Sequence, residues 1–247
     1  MNFDWPIFIR YIWPPTAFED PRILEGLFAT VGVAMTAMVI ATAIGLLGAI
    51  ARLSRRRAFR ALASAYVTYF RGTPILVQLF LVYFGCIEFH IYGFAQLEIG
   101  PIPVTGALQA GVIAIALNHG AQMTEIIRAG IIGIDKGQME AARAIGMTYG
   151  GAMRFIILPQ ALRIILPSFG NQVNASILIT PILITIGGQD LFGVFLAING
   201  VNYHPIELFL DCSAYILVLS MTWAAVQRRL ERRVGVSLAE VRPRSNA

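Results

Sequence analysis

"GQMEAARAIGMTYGGAMRFIILPQALRIILP", from Gly137 to Pro167, is a polar, arginine-bearing stretch set between long apolar runs. By itself it reads either as an ordinary amphipathic loop or as the part of a membrane protein that touches something soluble. Its surroundings narrow the choice. Of 247 residues, 57% are hydrophobic and only 13% charged, where soluble domains average about 25% charged. The chain reads as an all-α integral membrane protein.

A helix needs roughly 20 apolar residues to cross a bilayer. Five segments meet that need: Ile23 to Ala51, Leu62 or Thr73 to Phe89, Val104 to Ile132, Leu166 to Gly188, and Ile206 to Ala225. Cytoplasmic flanks of spanning helices carry the excess of Lys and Arg. Arg52, Arg55, Arg56, Arg57 and Arg60 follow the first segment. Arg128, Lys136, Arg143, Arg154 and Arg163 follow the third, and Arg228, Arg229, Arg232 and Arg233 follow the fifth. The flanks after the second and fourth hold Glu88, Glu98 and Asp190 but no basic residue. This asymmetry predicts five transmembrane helices, with the amino terminus outside and the carboxyl terminus inside.

The net charge of +5 is then mostly inner-face arginine. Orientation and attraction to lipid headgroups account for it, so nucleic acid is not called for as a partner. Residues 1–22 lack the basic start and apolar run of a signal peptide. Broken by Pro6, Pro14 and Pro15 and carrying Trp5, Tyr11 and Trp13, they read as an outer interfacial segment. Residues 23–233 form the transmembrane domain, and 234–247 read as a disordered cytoplasmic tail. Cys86 and Cys212 read as free thiols, since one pair makes no disulfide framework.

The quoted stretch therefore faces the cytoplasm. Asp135 is placed to cap a helix starting at Lys136. Gly146 ends that helix where left-handed geometry is wanted, Thr148 caps a second, and Pro159 restricts it. Two short helices meeting at an angle are expected, with Glu140, Ala141 and Ala142 on the first.

The spacing of Glu140, Ala141, Ala142, Gly146, Ile156, Leu158 and Pro159 resembles in full the EAA motif of membrane subunits of bacterial ABC importers. "YFRGTPILVQLFLVYFG" (Tyr69 to Gly85), "IRAGIIGIDKGQMEAARAIG" (Ile127 to Gly146) and "FIILPQALRIILPSFGNQ" (Phe155 to Gln172) are similar to permeases that import polar amino acids and opines. The likeness runs from Glu25 to Arg233. It implies a type I permease core of five helices in the bacterial inner membrane, paired with a second permease subunit. It further implies two ATPase subunits that bind ATP and magnesium, an external solute-binding protein, and a coupling helix from Glu140 to Gly146. No cofactor of the chain's own and no enzymatic activity are implied. Consistently, the glycine-rich phosphate loop of ATPases is absent, and the one lysine, Lys136, follows Asp135.

Polar residues inside spans normally face a protein interior or a watery cavity. Asn118, Gln122 and Glu125 share one helical face and are read as lining the translocation pathway; the rival reading is a seam joining helices, with Glu125 paired to Arg128. Arg71, Thr73 and Gln78 lie around Pro74, where the chain breaks or begins its span. Arg71 meets a substrate carboxylate or snorkels to headgroups. Asn171 and Thr180 join the candidate pathway on the fourth span, which Pro181 interrupts. Glu207 and Asp211 read as a hydrated helix end or a lure for cations, and His90, His119 and His204 as structural.

Two departures stand out. Where relatives carry Lys-Asp-Thr-Ser-Leu in the fourth span, this chain has Leu178, Ile179, Thr180, Pro181 and Ile182. Gln122 replaces the tyrosine of their Gly-Ala-Tyr. The altered pocket favours a heterodimer whose other permease carries more of the amino-acid site, over a homodimer with a different solute. Outside the family, the alternative is an ion-driven secondary transporter without an ATPase.

Overall fold

The computed structural model describes residues 4–12, 20–99 and 102–235. Trp13, Pro14, Pro15 and the tail from residue 236 lie outside the described residues. Helices are α1 (Trp5–Ile12), α2 (Pro21–Leu53), α3 (Arg57–Gly72), α4 (Ile75–Glu88), α5 (Gly106–Ile132), α6 (Lys136–Ala144), α7 (Tyr149–Ala152), α8 (Leu158–Ile179), α9 (Leu191–Asn202) and α10 (Pro205–Val234). A π turn, Met153–Ile157, joins α7 to α8, and a 3-10 segment, Thr180–Ile186, follows α8. The described chain is otherwise helical apart from a ribbon of two three-residue antiparallel strands, β1 (Leu97–Ile99) and β2 (Ile102–Val104).

α5 is the axis of the bundle. It packs against α2, α3, α4 and α8 and is buried along most of its length. On α2 the small residues Gly26, Ala29, Ala34, Ala37, Ala41, Gly45 and Ala49 recur along one buried stripe, which lets two backbones approach closely in a medium where packing, not water, drives association. Gly45 and Gly48 press so closely on Met123 and Thr124 of α5 that a Cβ on either would overlap them. At its N-terminal end α2 is capped by Asp20, whose Oδ1 accepts the Arg22 amide at 3.1 Å. The Arg22 guanidinium donates back at 2.6 and 2.9 Å and holds the Asp20 carboxyl below its usual range.

Three helical stretches are long and apolar enough to cross a membrane: Pro21–Leu53, Tyr149–Ile186 and Pro205–Val234. A fourth is added if α3 and α4 count as one span bent by 108°. α5, at 27 residues, has the length, about 40 Å at 1.5 Å per residue. Asn118, His119, Gln122 and Glu125 make its middle too polar to rank with the other three, because its neighbours rather than lipid cover it.

Several expectations need correcting. The fourth apolar segment begins well before Leu166: the π turn carries α7 directly into α8, so the second helix of the quoted stretch is not short. Pro159 falls in the first turn of α8, where an amide hydrogen is not needed, and Pro167 is accommodated within the helix. Pro181 does interrupt it, tightening the chain into the 3-10 segment that ends at Gly187, φ +80°. The flank after it is not loop but α9, capped by Asp190 through Gly193 N at 3.0 Å. Leu191, Phe195 and Ile198 of α9 bury against Ile23, Leu208, Cys212 and Tyr11. Glu207 and Asp211 are no hydrated helix end: they are 5% and 0% exposed, and Glu207 Oε1 accepts the Asp4 amide at 2.7 Å. Cys86 and Cys212 are free thiols.

Candidate functional site

The polar site grows from a proline. In an unbroken helix the carbonyl of Phe70 would accept from the amide of residue 74, and Pro74 has none. Thr73 is extended, at φ −117° and ψ 148°, as the residue before a proline prefers. The chain turns by 108° between α3 and α4. The amides of Val77 and Gln78 both go to the Pro74 carbonyl, at 3.1 and 3.2 Å, leaving the carbonyls of Phe70 and Thr73 to find other donors. An unsatisfied backbone group in the hydrocarbon region costs several kcal/mol.

Two buried carboxamides supply the donors. Gln78 Nε2 lies 2.9 Å from Phe70 O, 3.0 Å from Thr73 O and 2.8 Å from Thr73 Oγ1. Asn118 Nδ2 donates to Phe70 O and to Gln78 Oε1, each at 3.0 Å. The contacts continue across α5 to α8. Gln122 Nε2 reaches Asn118 Oδ1 at 3.3 Å, Gln172 Nε2 reaches Gln122 Oε1 at 3.2 Å, and His119 Nδ1 lies 2.7 Å from Gln172 Oε1. Tyr66 ties α3 to α5 nearby, donating to Leu117 O at 2.6 Å.

Thr73, Gln78, Asn118 and Gln122 are thus brought together by hydrogen bonds between α3, α4 and α5. Glu125 is one turn further along α5, in an ion cluster with Arg128 at 2.8 Å and Arg52 at 3.3 Å. Arg71 is exposed on the α3 side of the break, close enough for its charge to act on Glu125. Asn171 is exposed on α8. Thr180 is buried where α8 tightens and donates to its own Ile177 carbonyl at 3.2 Å. Gln172, His119 and Arg52 were not among the predicted site residues. Pro74, four residues after Phe70, signals the orphaned carbonyl that Gln78 and Asn118 serve, whereas nothing local in the sequence marks these three. Among the described residues, no group of three or more His, Cys, Asp or Glu side chains could hold a metal ion.

Beyond the C-terminal end of α5, α6 is built as its sequence suggests. Asp135 Oδ1 accepts the Gly137 amide at 2.6 Å. The far end closes with Met147 N to Ala142 O at 3.1 Å and Gly146 N to Arg143 O at 3.0 Å, the paired bonds of a Schellman cap, with Gly146 at φ +88°. Thr148 Oγ1 then accepts the Gly151 amide at 3.2 Å. Ala142 is buried, whereas Glu140 and Ala141 are exposed, and Ile145, Tyr149 and Phe155 are 78%, 62% and 68% exposed around them. Ile156 is half-buried, Leu158 and Pro159 exposed. Gln160 holds the loop to α8, reaching Gln138 Oε1 at 3.3 Å and Ile156 O at 3.0 Å. The result is a short rigid helix rimmed by uncovered apolar side chains.

Comparison with known proteins gives consistent matches. A family model described as binding-protein-dependent transport system inner membrane component matches residues 41–236. The chain is 35% identical over 235 residues to the arginine transport system permease protein of Bacillus subtilis strain 168, covering 94% of this chain and 99% of that one. It is 32% identical over 236 residues to the glutamine transport system permease protein of Escherichia coli K12, covering 96% and 100%. Among solved structures, a chain from the crystal structure of an amino acid ABC transporter with histidines superposes with a TM-score of 0.79 at 35% identity, covering 94% of this chain and 100% of that one.

Proposed function

Since the chain belongs to the family of binding-protein-dependent transport system inner membrane components, we propose that it is the membrane-spanning permease subunit of an ABC importer for polar amino acids or related opines. The observation that carries the coupling mechanism is the capped helix α6 with its uncovered rim. A helix of nine residues fixed at both ends and bearing Glu140, Ala141 and exposed Ile145 is suited to a groove on a soluble partner. Joined to α5 on one side and, through the π turn, to α8 on the other, it carries a movement of that partner into the bundle.

In this reading Glu140, Ala141, Ala142, Gly146, Ile156, Leu158 and Pro159 serve the contact with the ATPase. Residues 23–233 are the transmembrane domain, crossing five times, with α5 counted as a span and α3 with α4 as one bent span. Residues 1–22 lie outside, and 234–247 are the inner tail. Two permease chains enclose the pathway, with a heterodimer favoured by Leu178 and Ile179, and two ATPases and an external solute-binding protein complete the importer. Gln78, Asn118 and Gln122 act on the pathway by holding the break at Pro74. Arg71, Thr73, Glu125, Asn171 and Thr180 lie nearer the solute, with Arg71 the candidate for its carboxylate.

The test is reconstitution in liposomes with an ATPase and a solute-binding protein encoded beside the permease. Uptake of labelled glutamine or arginine is expected only when both partners and ATP are present. Uptake driven by an ion gradient without the ATPase would overturn the assignment.

A further inference from the structure

The carboxamides between His119 and the Pro74 break form a chain with a direction. At the break every available acceptor is fixed. Phe70 O and Thr73 O are carbonyls, and Thr73 Oγ1 has already spent its hydrogen on Tyr69 O at 2.8 Å. Gln78 must therefore present its NH2 there, which turns Oε1 toward α5. Asn118 must donate to that oxygen and to Phe70 O, using both its hydrogens and leaving Oδ1 to accept. Gln122 must then donate, and its Oε1 must accept from Gln172. Gln172 Oε1 is left facing His119 Nδ1 at 2.7 Å, so Nδ1 carries the ring hydrogen. Nε2 is a bare acceptor, and it is buried without a partner among the described residues.

We propose that these five side chains are a one-way hydrogen-bond relay that fixes the bend at Thr73–Pro74 from α8, with His119 and Gln172 as its remote positioning residues. Gln172 sits 50 residues from Gln122 in sequence and on a different helix from the break, yet each amide's orientation depends on the next. Displacing α8 relative to α5 withdraws the acceptor from His119 and the donor from Gln122. Asn118 and Gln78 keep their bonds to the break, but the donor that Gln122 holds against Asn118 Oδ1 is no longer fixed, and the polarisation that each bond lends the next toward the Phe70 carbonyl weakens. The consequence for solute passage rests on the transport reading above; the geometry of the relay does not.

Hydrogen exchange of the complete transporter in nanodiscs tests it, read at the amides of Val77 and Gln78. Gln172→Met keeps the side chain's length but offers neither donor nor acceptor, and His119→Leu removes the terminal donor. Both are expected to raise exchange at these amides about fivefold or more, the scale of one hydrogen bond. His119→Asn, whose amide nitrogen stands where Nδ1 stood, is expected to remain near wild type, and so is Ile164→Leu, exposed on the same helix as Gln172 but outside the chain. A variant that fails to assemble is replaced by Gln172→Asn, which retracts the same amide by one methylene and carries the same expectation as Gln172→Met. Unchanged exchange in the remote variants overturns the relay, as does His119→Asn behaving like His119→Leu, since donor direction would then not matter. Solute imported per ATP hydrolysed, measured on the same preparations, should fall with the rise in exchange. Raised exchange with an unaltered ratio sinks the positioning role alone. A wild-type complex with no ATP-driven uptake sinks the transport reading and leaves the relay standing.

Discussion

Phe70 contributes only a carbonyl to the polar site, and that carbonyl explains why amides stand in the interior of an apolar bundle. Gln78, 2% exposed, reaches both carbonyls freed by the break, so Gln78→Leu leaves them short of donors. A loss of about 1–3 kcal/mol is expected from an orphaned buried acceptor, read as a lower thermal midpoint of the purified protein. Asn171→Leu, on an exposed face, should leave that midpoint unmoved. Gly146 poses the complementary problem, since φ +88° costs a residue with a side chain about 1–2 kcal/mol while the space around it is open. Gly146→Arg strains the cap and adds bulk to the rim of α6, and Glu140→Lys reverses a charge on its face. Each should abolish uptake and co-purification of the ATPase while membrane insertion persists; normal uptake by both would remove the coupling role. Asp135, Gly146 and Thr148 were legible in the sequence because caps are local, decided within about three residues of the helix they end. Gln172 and His119 were not, because their meaning depends on acceptors that only the packing of α8 on α5 supplies.

At the scale of elements, the contact between α2 and α5 leaves no room for an added side chain at Gly45 or Gly48. Gly48 faces the Thr124 side chain, whose hydroxyl oxygen is the atom nearest to where a Cβ would stand and donates to Gly120 O at 2.9 Å. Gly48→Val has nowhere to place its methyl groups without separating the helices, and overpacking of this kind costs about 1–3 kcal/mol. A drop in the folded fraction recovered from detergent is expected, whereas Gly32→Val on the same helix, with nothing near its Cβ, should be recovered as wild type. The break between α3 and α4 was readable from Thr73 and Pro74, since a proline constrains itself and its predecessor. The early start of α8 was not readable, because Pro159 and Pro167 look like boundaries to a reading based on local bonds. The π turn and the first-turn position of Pro159 cancel one signal. The other, Pro167, lies inside α8 although the Arg163 carbonyl loses its helical donor there. α9 was hidden for a different reason: a 12-residue apolar helix on an outer flank has the composition of a loop that hugs the membrane.

For the whole molecule, the arginine distribution makes the orientation testable. Single cysteines at Ala58 and Met147 should react with an impermeant reagent only from the cytoplasm, and one at Gln96 only from outside. Labelling of Ala58 in intact cells would reverse the topology. Tagged protein purified from its native membrane should bring a second permease species in equal amount. Full activity stimulated by the solute-binding protein from a single permease species would instead establish a homodimer. The central position of α5 also bears on how such a molecule is made. A ribosome releases α2 to the translocon some fifty residues before α5 emerges, and α5 carries Asn118, His119, Gln122 and Glu125 through its middle, residues that lipid alone would reject. The glycine-lined face of α2 is by then already waiting in the bilayer. Order of synthesis, and not hydrophobicity alone, then bears on how a helix with so polar a middle comes to be the axis of the bundle.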